Sequence, residues 1–194
     1  VDALSSVVNA YGKEALSAEK ASDIMFTTIR LGKTTYSELS GFLFNVAPAA
    51  AAAGVGFEDV AAAIAALTAQ GVPTRVATTQ IRQAILSMMA PNKQMTEAFQ
   101  GTAHSAEELA TIMKEPGGLV KAMQLVEKTA AGNMTVMKGM YGSVEALQGV
   151  LALTANEGQK FNETLEEIQK GAGATDEAFK QMDQGLARAF EKMK

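Results

Sequence analysis

Residues 37–72 read SELSGFLFNVAPAAAAAGVGFEDVAAAIAALTAQGV, and they are dominated by alanine. Alanine is the strongest helix former because it loses no side-chain entropy, and its small side chain lets helix axes approach closely. Within the stretch, Phe57, Val60, Ile64 and Leu67 recur at helical spacing, which predicts a helix over Phe57–Gln70. Glu58 and Asp59 stand in its first turn, where carboxylates complement the helix dipole. Gly71 ends that helix and Pro73 prevents its continuation. Upstream, Thr35-Tyr-Ser-Glu38 is a capping box opening a helix predicted to bury Tyr36, Leu39, Leu43 and Val46. Pro48 removes a backbone donor, so Ala49–Ala53 is expected to follow a kink or a break.

The same punctuation extends in both directions. Helices are expected over Ala3–Tyr11 and Ala18–Leu31, closed by Gly12 and Gly32. A third is expected over Arg75–Ala90, capped by Thr74 and stopped by Pro91, with Ala77, Ile81, Ile85 and Met88 inward. Beyond it lie Asn92–Gln100, a helix opened by a second capping box at Ser105-Ala-Glu-Glu108, and a stripe of Leu119, Met123, Val126 and Ala130. Met134–Tyr141 and Ser143–Ala155 follow, the latter presenting Val144, Leu147, Leu151 and Thr154 on one face. No stretch alternates β-branched and polar residues as a strand would. The fold class is therefore all-α: a multi-helix domain of short Ala-rich helices.

From Phe161 the pattern becomes regular. Phe161, Leu165, Ile168, Ala172, Thr175, Phe179, Met182, Leu186, Ala189 and Met193 alternate steps of four and three. One reading is a coiled-coil-like seam able to drive self-association; the other is two amphipathic helices in phase across Gly171-Ala-Gly-Ala174. The organisation expected is a helical core over residues 1–155 and an amphipathic, coiled-coil-like helical segment over 156–194.

Composition narrows the function classes. Among 194 residues the formal net charge is −4, leaving no basic footprint for nucleic acid. The absence of cysteine removes disulfides and thiolate metal sites. Val1–Tyr11 lacks the basic and apolar regions of a signal peptide. A start at Val1 without Met, and an end inside a helical pattern at Lys194, read as a piece of a longer protein.

Candidate chemistry is sparse. His104, the one histidine, lies in a polar loop without the companion ligands a metal needs. Glu107-Glu108 and Glu166-Glu167 are neighbours that point in different directions on a helix. Gly139-Met-Tyr-Gly142 and Gly171-Ala-Gly173 follow no strand, so they read as helix ends and not as phosphate-binding loops. No catalytic, cofactor-binding or metal residue is expected, and no enzyme. Leu39–Thr74 carries only Glu58 and Asp59 as charges, which raises a membrane-active reading. Asn45, Pro48 and the weakly hydrophobic alanines favour a buried helical hairpin instead.

Three segments, LSSVVNAYG (4–12), the opening stretch (37–72) and ATTQIRQAILSMMAP (77–91), resemble the core region of phage tail tape measure proteins of the TP901 type. Val46-Ala-Pro48, Gly54-Val55, Glu58-Asp59, Gly71 and Arg82 follow that family's order of kink, turn, acidic cap, stop and Arg-containing helix. KGMYGSVEALQGVLAL (138–153) is similar to its later helix pair. Gly56 departs from a common capping Ser, and Thr79 from a common small residue. The resemblance implies a structural virion component, phage or prophage in origin and made in the bacterial cytoplasm. Such a chain occupies the tail-tube lumen, sets tail length and takes part in assembly and genome ejection. Its implied partners are the tail tube protein, tail-assembly chaperones and tail-tip proteins, with membrane contact only during ejection. A helical protein-binding or chaperone-like module is the alternative from another class, and it predicts an internal repeat that the sequence does not display.

Overall fold

The helix over Phe57–Ala69 is buried on every side: every residue from Val60 to Thr68 is shielded from solvent. A helix that is apolar all round belongs at the centre of a domain, and the remaining elements are arranged about this one. The computed structural model describes residues 2–178, 180 and 181. Among them the α-helices are α1 (Asp2–Tyr11), α2 (Ala18–Leu31), α3 (Tyr36–Ala53), α4 (Phe57–Ala69), α5 (Thr74–Met89) and α6 (Lys93–Phe99). Then come α7 (Glu108–Ile112), α8 (Gly118–Thr129), α9 (Met134–Tyr141), α10 (Val144–Thr154) and α11 (Gln159–Lys170), the last two joined by a 3-10 turn, Ala155–Gly158. No described residue is in a strand.

Helices α1, α3, α5 and α10 neighbour one another in that order, and α4 lies against α3, α5 and α10. Helices α2 and α11 flank α4. Met25, Leu39, Leu43, Ile64, Leu67, Ile81, Ile85 and Phe161 belong to one continuous core. Fully burying a side chain of this size contributes about 1.5–3 kcal/mol, so α4, with almost no polar face, is ordered chiefly by what surrounds it. Its hydroxyl at Thr68 stays satisfied by donating to the carbonyl of Ile64 at 2.8 Å.

Local signals place most boundaries. Thr35 accepts from the Glu38 N–H while Glu38 accepts from the Thr35 N–H, completing the capping box. Gly54 adopts the left-handed conformation that ends α3. Of the kink or break expected at Pro48, the break does not occur: Pro48 lies inside α3. The carbonyl it leaves without a donor is that of Phe44, four residues back on the side of the helix that faces solvent. Tyr36 is 48% exposed, because it sits at the open end of α3 and the buried stripe starts a turn later at Leu39.

Three further expectations change. Thr74 is not a cap: Pro73 holds that position, and the Thr74 hydroxyl is buried 2.7 Å from that of Thr34. The second capping box does not form. Helix α7 begins only at Glu108 with no side-chain cap, and the Ser105 carbonyl takes the Glu108 N–H as a turn. On α10 the expected stripe holds at Leu147 and Thr154, which are buried, but Val144 is half exposed and Leu151 only partly covered, and the buried face widens to take in Ala146, Gly149, Val150 and Leu153. Helix α10 is clasped between α5 and α8, so two sides of it are covered instead of one.

No helix among the described residues is long and apolar enough to cross a membrane. Of the heptad-spaced residues, Phe161, Leu165 and Ile168 are buried in the core, where α11 packs on α4 and α2. Ala172 is exposed and Thr175 half-buried. Phe179, Met182, Leu186, Ala189 and Met193 lie outside the described residues.

Candidate functional site

The residues weighed for chemistry stay apart. His104 is exposed, its Nδ1 3.0 Å from Glu108 Oε2, while Glu107 sits one position earlier at the cap of α7. Glu166 pairs with Lys170 and Glu167 faces Arg30 at 3.5 Å, all on the surface. Gly142 caps the end of α9 in the left-handed conformation, as a helix stop should. Among the described residues no three His, Asp or Glu side chains are placed to hold a metal.

Two carboxylates form the best-defined polar geometry: Asp59, expected from sequence only to complement its own helix dipole, and Asp23, to which the sequence assigns no role. Asp59, in the first turn of α4, turns away from its own helix. Its Oδ1 accepts the N–H of Gly117 at 3.0 Å and its Oδ2 the N–H of Leu119 at 3.1 Å. Gly117 occupies the cap position of α8 and has no side chain to cap with. Asp59 therefore supplies from another helix the acceptor that α8 lacks. It is 2% exposed. Burial pushes its carboxyl above the usual aspartate range, and the two N–H donors offset only part of that rise.

Asp23 repeats the arrangement on α2. Its Oδ2 accepts the N–H of Gly173 at 2.7 Å and its Oδ1 the N–H of Thr175 at 2.9 Å, at the start of a helical stretch over 174–178. Burial again acts to raise the carboxyl, but the Thr175 N–H, the Thr175 hydroxyl and the Gly173 N–H outweigh it. Asp23 is held below the usual range.

Beside Asp23 a cleft of about 450 Å³ is lined by Ser17, Lys20, Glu58 and Gly171–Gly173. The Lys20 ammonium in it is paired with Glu58, tying α2 to α4. A larger cleft of about 760 Å³ lies between the end of α8 and the turn after α10. It is bordered by three non-glycine residues with positive φ: Ala131 at 49°, Asn156 at 50° and Glu157 at 58°. Holding such residues left-handed costs about 1–2 kcal/mol each. What these arrangements accomplish is the joining of distant helices. Each carboxylate has both oxygens engaged by backbone N–H groups of the segment it joins.

A family model described as phage-related minor tail protein matches residues 1–130. The chain is 29% identical over 188 residues to a probable tape measure protein of Clostridium phage phiCD119, covering 95% of this chain and 20% of that protein. It is 25% identical over 201 residues to the tape measure protein of Pneumococcus phage Dp-1, covering 99% of this chain and 17% of that one. The chain thus spans about a fifth of the length of the curated relatives it matches. No solved structure matches it.

Proposed function

We propose, from the premise that this chain belongs to the phage-related minor tail protein family and is a structural component of a phage tail, that it is the folded core of a tape measure protein. The observation that carries this reading is alignment to two tape measure proteins along nearly the whole chain, with both relatives far longer than the match. Family membership implies contact with other tail components. The partners proposed are the tail tube protein, the assembly chaperones and the tail-tip proteins, with the parent chain lying in the tube lumen. A ruler needs length and a fixed end more than chemistry, and a helix-built head with paired surface charges is suited to be that end. The role is structural and not catalytic.

The test is the length of assembled tails. In-frame deletions and duplications in the parent chain outside residues 1–194 should shorten and lengthen tails in proportion, at about 1.5 Å per residue where the chain is helical. Removing residues 1–155 should instead abolish assembly. Electron micrographs in which tail length ignores the length of the parent chain would end the ruler reading.

A further inference from the structure

The outer side of α2 is only half covered. Ser22, Phe26, Ile29, Arg30 and Lys33 follow one another there at helical spacing. Phe26 is 38% exposed in the middle of the helix, and Ile29 is only partly covered. At the near end of this stripe the Ser22 hydroxyl lies 3.5 Å from that of Thr175, beside the pair of N–H groups that Asp23 accepts. The helical stretch over 174–178 starts at that point, and Lys180 and Gln181 are helical as well. Ala174, Glu177, Ala178 and Gln181 share a cleft of about 400 Å³ with Phe26 and Arg30. With Thr175 beside Ser22 and Gln181 in the cleft of Phe26 and Arg30, the stretch runs in the same direction as α2.

The sequence beyond keeps one side apolar. Ala174, Thr175 and Ala178 are half-buried, whereas Asp176, Glu177, Lys180 and Gln181 are exposed. Carried on at the helical repeat, the half-buried side receives Met182, Gly185, Leu186, Ala189 and Met193. Asp183, Gln184, Arg188 and Glu191 fall on the other. Counted from Thr175 beside Ser22, Met182 comes level with Ile29. Leu186 comes level with Lys33, whose apolar stem is long enough to cover it. The uncovered apolar surface of α2 thus stands where the apolar side of the continuing chain is due. The earlier members of the same spacing, Phe161, Leu165 and Ile168, are already buried in this chain's own core, which favours the same chain as the occupant.

We propose that the outer side of α2 is the docking surface for residues 182–194 of the same chain. The segment continues the helical stretch that Asp23 caps, and Met182 and Leu186 cover Phe26 and Ile29. The apolar spacing after Gly173 is then a contact within one chain and not a seam between chains. This docking is independent of the tape measure reading, which tail-length measurements address separately.

Hydrogen exchange of the full 194-residue chain tests it. The amides of residues 183–190 are expected to exchange about ten-fold or more slowly than in an unstructured chain, equally at all protein concentrations. In Phe26→Glu, and separately in Met182→Glu, that protection should fall several-fold while the amides of α4 keep theirs. Glutamate is a good helix former, so a loss reports the contact and not helix propensity. Rapid exchange in the parent overturns the proposal, and so does protection that either variant leaves unchanged. Protection that rises with concentration assigns the apolar side to a second copy and is equally fatal. Should Phe26→Glu lose its helical circular dichroism, Met182→Glu decides alone.

Discussion

At the α4–α8 junction a carboxylate reaches the N–H of a left-handed glycine and of the residue two positions on; at the α2 junction Asp23 does the same. Gly117 and Gly173 have φ of 71° and 79°, and each opens a helical stretch without contributing a side chain of its own. The surroundings differ. Asp59 is closed off inside the domain, and Gly118 beside it is pressed against the carbonyl of Ile112. Gly173 has open space around its Cα. One hydrogen-bonding pattern therefore serves as an internal weld in one place and, where the buried Asp23 meets the exposed Gly173, as a tie at the rim of an open cleft in the other. Desolvation outweighs the N–H donors at the first, and the donors outweigh desolvation at the second.

Substituting Gly118 at the first junction and Gly173 at the second should separate the two most strongly. A β-carbon at Gly118 overlaps a backbone oxygen that cannot swing aside, so Gly118→Ala is expected to cost about 3 kcal/mol or more. Gly173→Ala meets nothing within 4 Å and should cost only the left-handed penalty of about 1 kcal/mol. Urea denaturation of the two variants measures the gap, and equal losses would dissolve the distinction between weld and tie.

Removing the carboxylates gives the next largest difference. Asp59→Ala strands two buried N–H groups, for an expected loss of about 2–4 kcal/mol. In Asp23→Ala water can replace the lost acceptor at the rim, and the loss should be about 1 kcal/mol, as for an ordinary helix cap. Hydrogen exchange localises each effect. The amides of Gly117 and Leu119 should lose protection in the first variant only, and those of Gly173 and Thr175 in the second only.

Much of the domain could be read before any coordinates because its signals are local. The Thr35–Glu38 box, the Gly71 stop and the stripes of α4, α5 and α8 each depend on residues within a turn or two. The two junctions were illegible for the opposite reason. Asp59 and Gly117 are 58 residues apart, Asp23 and Gly173 150 apart, and no periodicity encodes such a pairing. Asp59 in a first turn looked like a partner for its own helix dipole. Gly173 reads from sequence as a helix end, whereas it opens a helical stretch, as Gly117 does. The one available hint was that a glycine at a helix start, lacking any Ser, Thr, Asp or Asn, leaves N–H groups for some distant acceptor to satisfy. The half-right face of α10 has a related cause, since a helix covered on two sides buries more than a single stripe.

The smallest effect expected is a difference in sign with pH. Asp23 has a folded-state pKa below its unfolded value. Its contribution is present above about pH 4 and is lost as pH falls through the folded value. Asp59 has a folded-state pKa above its unfolded value. Its contribution is greatest in acid, below about pH 4, and is lost as pH rises through the folded value. Relative to Asp23→Asn, the parent should therefore lose its advantage on acidification, while relative to Asp59→Asn it should gain. Urea midpoints of the three proteins between about pH 3 and pH 7 give both slopes. Slopes of the same sign would mean that burial does not govern Asp59, and the two junctions would then be one device in one environment.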